Sequence, residues 1–177
     1  MNFVHLAIDG VYEIHNFSVN DERGVFVKTF NEELFQKIDF KDSFKESYYS
    51  SSAKNVIRGM HFQLSPQEHE KLIYVTEGEI LDVVVDLRKK SSTFKKFLTI
   101  KLSAFGSSIF IPKGCAHGFL TLSASATVVY NVTTIYSPSN DSGILWNSFG
   151  YNWDIEVPII SERDQSFKRL EDFKSPF

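Results

Sequence analysis

Between residues 46 and 133 the chain carries one short β-rich segment after another. Glu46–Ser51, Asn55–Gln63, Lys71–Thr76, Ile80–Leu87, Phe97–Leu102, Ser107–Ile111, Gly118–Leu122 and Ala126–Thr133 follow each other with polar or glycine-bearing turns between them, such as Glu77-Gly78. Short strands at roughly 8–12-residue spacing point to an antiparallel sandwich or barrel. Ahead of this series, Gly24–Phe30 is β-rich and follows a polar turn at Asn20–Arg23. Asn31–Ile38 is expected to form a short helix, capped by Asn31, with Leu34, Phe35 and Ile38 on one face. A second short helix is expected near Asp164–Leu170. No repeat, low-complexity tract or dividing linker interrupts the 177 residues, which read as one all-β domain, 1–177.

Composition narrows the function classes. An apolar fraction of 42% suffices for a substantial core. The formal net charge of −3 lacks the basic surplus of a nucleic-acid binder, so no nucleic-acid partner is expected. Cys115 is the single cysteine, which rules out an intrachain disulfide and fits a reducing compartment. The first residues lack a basic n-region, and no apolar run approaches the about 18–20 residues that cross a bilayer. A soluble cytoplasmic protein with no membrane partner is the expectation.

Four constellations can carry chemistry. The first is Arg58-Gly59-Met60-His61-Phe62-Gln63, polar residues in an apolar strand. On an ideal strand Arg58 and His61 face opposite sides; a bulge at Gly59 would bring Arg58, His61 and Gln63 to one side. An exposed polar edge is the plainer alternative. The second is Gly106-Ser107-Ser108-Ile109-Phe110-Ile111-Pro112-Lys113-Gly114-Cys115-Ala116-His117. Its Pro and Gly shape a tight turn that places His117 at the start of the next strand. The third is Asp82–Phe94, where Asp82, Val84 and Asp86 share one face of a strand. Asp82 could bind a ligand hydroxyl or orient a histidine, whereas Asp86 reads as a surface edge. In the fourth, Tyr130 lies within an apolar strand and Tyr136 just before a turn. A tyrosine so placed can donate a proton, stack on a base or simply pack.

The G-x5-P-x-G-x2-H pattern resembles the second signature of the cupin superfamily, a double-stranded β-helix or jelly roll. Metal-binding cupins usually carry His-x-His plus Glu in their first signature; here the matching place reads His61-Phe62-Gln63. Two histidines without a third strong ligand rarely make a tight site, so a metal-free pocket with no cofactor is expected. Taken with Asp21-Glu22-Arg23-Gly24, Lys71, Tyr136-Ser137-Pro138, Ile144-Leu145-Trp146-Asn147 and Ser161-Glu162-Arg163-Asp164, the motifs resemble the dTDP-4-dehydrorhamnose 3,5-epimerase family over about Val11–Asp164. That resemblance implies a cupin-type jelly roll with short flanking helices. Its implied activity is inversion of C3, C5 or both in a nucleotide-diphospho-4-keto-6-deoxy sugar, for surface polysaccharide synthesis. His61 then looks like the base, Asp164 its carboxylate partner, Tyr130 the acid on the other face and Lys71 the cation beside the developing enolate oxygen. Arg58, His117 and Asp82 resemble pocket residues, with Gln63 and Tyr136 beside them. Arg23 and Phe26 resemble residues that approach the nucleotide across the interface of a homodimer.

The chain departs from the family pattern at two places. Lys28 stands where the family commonly has Glu, and Glu46-Ser47-Tyr48 stands where it commonly reads Gln-Asp-Asn. Such exchanges alter electrostatic complementarity at substrate-facing positions and leave TDP, CDP and GDP sugars, hexose or heptose, open. Three rival readings share the same pocket: a sugar-nucleotide 3,4-ketoisomerase, a non-catalytic sugar-nucleotide-binding cupin, and a metal-dependent oxygenase.

Overall fold

Strand alternation decides which side chains go inside, and one irregularity in that alternation builds the site. The computed structural model describes residues 1–177. Its strands are β1 (Asn2–His5), β2 (Tyr12–His15), β3 (Phe17–Asp21), β4 (Gly24–Lys28), β5 (Glu46–Ala53), β6 (Ile57–Gln63), β7 (Lys71–Glu77), β8 (Glu79–Asp86), β9 (Phe97–Ser103), β10 (Ser108–Ile111), β11 (Cys115–Thr121), β12 (Ser125–Val132) and β13 (Asp141–Gly143). All paired strands are antiparallel. A six-stranded sheet runs β1-β2-β10-β7-β12-β5, a five-stranded sheet runs β13-β6-β11-β8-β9, and β3–β4 form a separate hairpin. The two large sheets pack face to face as the jelly roll that the motifs led one to expect.

Three apolar layers result. Ile73, Val75, Ile109 and Val128 of one sheet meet Ile80, Val84, Leu102 and Phe119 of the other between the sheets. The outer face of the five-stranded sheet, with Ile57, Met60, Phe62, Val83 and Leu87, is covered by the C-terminal segment through Phe149, Trp153 and Leu170. The outer face of the six-stranded sheet is covered by Phe35 and Phe40 over Leu72 and Phe110. Burial on both faces explains why Val83-Val84-Val85 is a continuous apolar run rather than an alternating one.

Flanking helices are shorter than the sequence suggests. α1 (Glu32–Phe35) continues as a 3-10 turn over Gln36–Ile38, with the Asn31 side chain accepting the Leu34 N–H at 2.9 Å, so the expected cap is present. α2 (Glu162–Gln165) is a single turn capped by Ser161 and ends before Leu170. The chain beyond it is used to cover the sheet, and that packing replaces the expected helix. Strands β1, β2, β3 and β13 are additional to those read from the sequence.

Asp86 corrects an expectation. It is fully buried, accepting hydrogen bonds from Arg88 Nε at 2.9 Å, Ser91 Oγ at 2.5 Å and Thr93 Oγ1 at 2.7 Å. Burial alone would raise its pKa, but these donors outweigh it and hold the carboxyl below the usual range. Within the polar run Arg88–Thr93, three side chains fold back onto this carboxylate.

Candidate active site

The site begins with one extra residue in β6. His61 lies opposite His117, but Arg58 lies opposite Phe119, so three steps on β6 match two on β11. Gly59 is that bulge. Across it Ile57, Met60 and Phe62 keep to the outer layer, while Arg58, His61 and Gln63 turn inward. The close pairing needs glycine on both strands: a Cβ on Gly59 would stand 2.6 Å from Gly118 Cα, and one on Gly118 would stand 2.7 Å from the Arg58 carbonyl. Gly59 also has φ +143°, where side chains are strained.

The bulge leaves the Gly59 N–H free, and it donates to Asp164 Oδ2 at 3.0 Å. The other oxygen, Oδ1, faces His61 Nε2 at 2.8 Å. Ser161 fixes the carboxylate from behind, accepting the Asp164 N–H at 3.2 Å. Burial would raise the Asp164 pKa, but the bonds and charge of His61, the Gly59 N–H and Arg163 carry it below the usual carboxylate range. An ionised Asp164 fixes the proton of His61 on Nε2 and leaves Nδ1 as the basic nitrogen.

Two neighbouring cavities share His61, Lys71 and Tyr48. The outer one, about 430 Å³, is also lined by Glu46, Gln63, His69, Tyr136, Asp141 and Arg163. The inner one, about 290 Å³, is also lined by Ser50, Arg58, His117, Phe119 and Tyr130. His61 and Tyr130 thus border one space. Lys71, at the start of β7, is buried and donates from Nζ to the His61 carbonyl at 3.1 Å. Burial lowers its pKa to about 8, with Asp82 and Asp141 opposing the fall. Asp82 orients a histidine, as one of its two readings had it: its Oδ2 lies 2.7 Å from His117 Nε2, both groups being buried. Burial lowers the His117 pKa against the pull of Asp82. Tyr130 is buried beneath Tyr48, and burial raises its pKa, so its phenol stays protonated.

Other expected residues take different roles or positions. Gln63 borders the outer cavity, but its amide is spent on protein: Nε2 donates to the Gln67 carbonyl at 2.9 Å, and Oε1 accepts the Ser137 N–H at 2.7 Å. It holds the loop that carries Tyr136. Glu46 does likewise, accepting the Tyr136 N–H at 2.6 Å. Arg58 is tethered to Ser52 Oγ at 2.8 Å with its guanidinium at the inner cavity. Arg23, Phe26 and Lys28 lie on the β3–β4 hairpin, outside both cavities; Arg23 is paired with Asp21 at 2.6 Å and Phe26 is 58% exposed.

Three site residues were not singled out from sequence. Arg163 NH1 lies 3.1 Å from His61 Nε2, and its NH2 lies 2.5 Å from Asp141 Oδ2. With the Nε2 hydrogen aimed at Asp164, Arg163 acts beside the ring as a charge. His69 has its pKa lowered to about 3 by burial and by Lys71, so it is neutral, and its Nδ1 lies 3.3 Å from Gln63 Nε2. The Ser161–Asp164 motif contained Arg163, whereas His69 sits in a polar loop and Asp141 opens the three-residue β13, neither with a distinguishing pattern. No three His, Cys, Asp or Glu side chains gather closely enough to hold a metal ion.

Fold and side chains together define a cupin-type barrel with a histidine–carboxylate pair, a buried lysine and a buried tyrosine around one cleft. Comparison with known proteins is specific. A family model described as dTDP-4-dehydrorhamnose 3,5-epimerase matches residues 5–172, and the chain belongs to that family. It is 41% identical over 176 residues to the dTDP-4-dehydrorhamnose 3,5-epimerase of Methanothermobacter thermautotrophicus, spanning 96% of this chain and 95% of that one. The crystal structure of dTDP-6-deoxy-D-glucose-3,5-epimerase from Legionella pneumophila, in complex with dTDP-4-keto-L-rhamnose, matches with TM-score 0.92 at 33% identity, over 98% of this chain and 94% of that one. A 3'-monoepimerase from Streptomyces bikiniensis in complex with dTDP-quinovose matches with TM-score 0.86 at 27% identity, over 94% and 86%.

Proposed function

We propose that the chain is an isomerase that inverts C3, C5 or both in a dTDP-4-keto-6-deoxy sugar by proton transfer. The 4-keto group acidifies the hydrogens on both neighbouring carbons. His61 Nδ1 takes one of them, and the electron pair left behind moves onto the ketone oxygen as an enolate. Lys71 stabilises that oxygen; donors so placed contribute about 2.7–4 kcal/mol in comparable sites. Tyr130 returns a proton to the opposite face, and solvent resets both groups. General acid–base assistance of this kind adds roughly 10²–10⁴-fold. His117, kept in register by Asp82, and Arg58 contact the ligand in the inner cavity, and Tyr136 lies at the rim.

The single observation that carries this reading is that Asp164-bound His61 and Tyr130 line one cleft together with Lys71. Relatives named for dTDP sugars favour that nucleotide over the CDP and GDP alternatives. The same reading makes the chain a single-domain homodimer in the cytoplasm whose product feeds surface polysaccharide. Exposed Phe17, Val19, Val25 and Phe26 on the β3–β4 hairpin suit a dimer contact that delivers Arg23, Phe26 and Lys28 to a neighbour's nucleotide.

The test is incubation with dTDP-4-keto-6-deoxyglucose in deuterated water, counting deuterons by mass spectrometry and reading configuration by NMR. His61→Asn should abolish exchange. Tyr130→Phe should exchange but fail to invert. Exchange retained in His61→Asn, or normal inversion by Tyr130→Phe, removes that residue from the mechanism. A product with a moved carbonyl establishes the ketoisomerase instead.

A further inference from the structure

Strand β5 is an edge strand, paired only with β12, and its alternate residues Glu46, Tyr48 and Ser50 all face the cleft. Tyr48 lies directly opposite Tyr130 in the β5–β12 register. Their rings stack with centroids 4.8 Å apart and planes 17° apart. The His117 ring meets Tyr130 at 6.1 Å and 72°, edge to face. The Tyr130 hydroxyl has one protein partner, Ser50 Oγ, at 3.4 Å. At that length a hydrogen bond orients weakly. The direction of the phenol is therefore set by ring packing, chiefly by Tyr48, which stands where the family pattern commonly has Asn.

We propose that Tyr48 is a positioning residue for Tyr130: its stacked ring holds the phenol on the line along which a proton is returned opposite His61. The inference rests on the epimerase reading above. Once His61 has taken the carbon's hydrogen, the enolate has two fates. His61 can return a solvent-exchanged proton to the face it came from, giving deuterium without inversion. Tyr130 can instead protonate the other face, its O–H bond breaking as the new C–H bond forms, and become a phenolate that takes a proton back from solvent. The two fates compete, so the share of inversion measures how well Tyr130 is aimed. A misplacement of about 1 Å can cost on the order of 10²-fold in such a transfer. Tyr48 thus sets the coupling of exchange to inversion.

The experiment compares wild type, Tyr48→Phe and Tyr48→Leu with dTDP-4-keto-6-deoxyglucose in deuterated water. It reads inverted product per deuteron incorporated, a ratio unaffected by substrate affinity or by the amount of active protein. Tyr48→Phe, which keeps the stacked ring, should keep the wild-type ratio. Tyr48→Leu should lower it by about ten-fold or more. A merely structural role would lower exchange and inversion in parallel, and an unchanged ratio in Tyr48→Leu overturns the proposal, as does a fall of equal size in Tyr48→Phe. NMR of ring-labelled tyrosines supplies a substrate-free arm: stacking should give Tyr130 a ring-current shift that survives in Tyr48→Phe and disappears in Tyr48→Leu. Absence of that shift in wild type overturns the positioning role even if the enzyme turns over. A normal shift in a protein that exchanges no deuterium overturns the epimerase reading instead.

Discussion

Lys71→Met should make a protein that is more stable and nearly inactive. Lys71 is 5% exposed, and its pKa falls from an ordinary 10.5 to about 8, chiefly through burial. At about 1.4 kcal/mol per pH decade, holding that charge in the folded state costs about 3 kcal/mol at neutral pH. Methionine has a similar length and no charge to bury. It also leaves the His61 carbonyl without the Nζ donor, a loss of about 1 kcal/mol. The net expectation is a gain of about 2 kcal/mol at pH 7, or about 4–8 °C in Tm for a chain of this size. The sign with pH is fixed. Below about 8 lysine is charged in both states and the full cost is present. Between about 8 and 10.5 the unfolded chain binds the extra proton, so wild-type stability rises with pH and the variant's advantage shrinks. Urea unfolding at pH 7 and pH 10 measures both ends. Turnover should fall by about 10²–10³-fold if the ammonium faces the enolate oxygen. A variant less stable than wild type at pH 7, or an advantage that does not shrink with pH, refutes the reasoning.

Two further substitutions probe the support of His61. Asp164→Asn keeps the shape but not the charge that fixes the proton on Nε2, so deuterium exchange should fall by roughly 10²–10⁴-fold, read by mass spectrometry. Gly118→Ala puts a methyl 2.6 Å from Met60 Sδ and 2.7 Å from the Arg58 carbonyl. It should cost about 1–3 kcal/mol in urea unfolding and, by displacing the bulge, lower turnover further than the stability loss explains.

The central strands were legible because their apolar runs are long and their turns carry Gly or Pro. Strands β1, β2 and β13 have three or four residues each and mix polar with apolar side chains, so only pairing with a neighbour defines them. The bulge at Gly59 could be inferred, since Arg58 and His61 needed it to share a face. Asp86 departs from expectation because an acidic residue at a strand end ordinarily meets solvent, whereas here Arg88, Ser91 and Thr93 fold back over it. Arg163 and Asp141 lie 22 positions apart, and nothing local marks their ion pair or its contact with His61. The pairing of Asp164 with His61 spans 103 positions, and only family resemblance could suggest it.

That span has a temporal consequence. His61 is synthesised within β6, while the carboxylate that meets it follows on the segment that wraps the outer layer, after every strand. The contacts that fix the His61 ring therefore depend on the segment that covers the outer face, since only there does Asp164 meet both the ring and the Gly59 N–H.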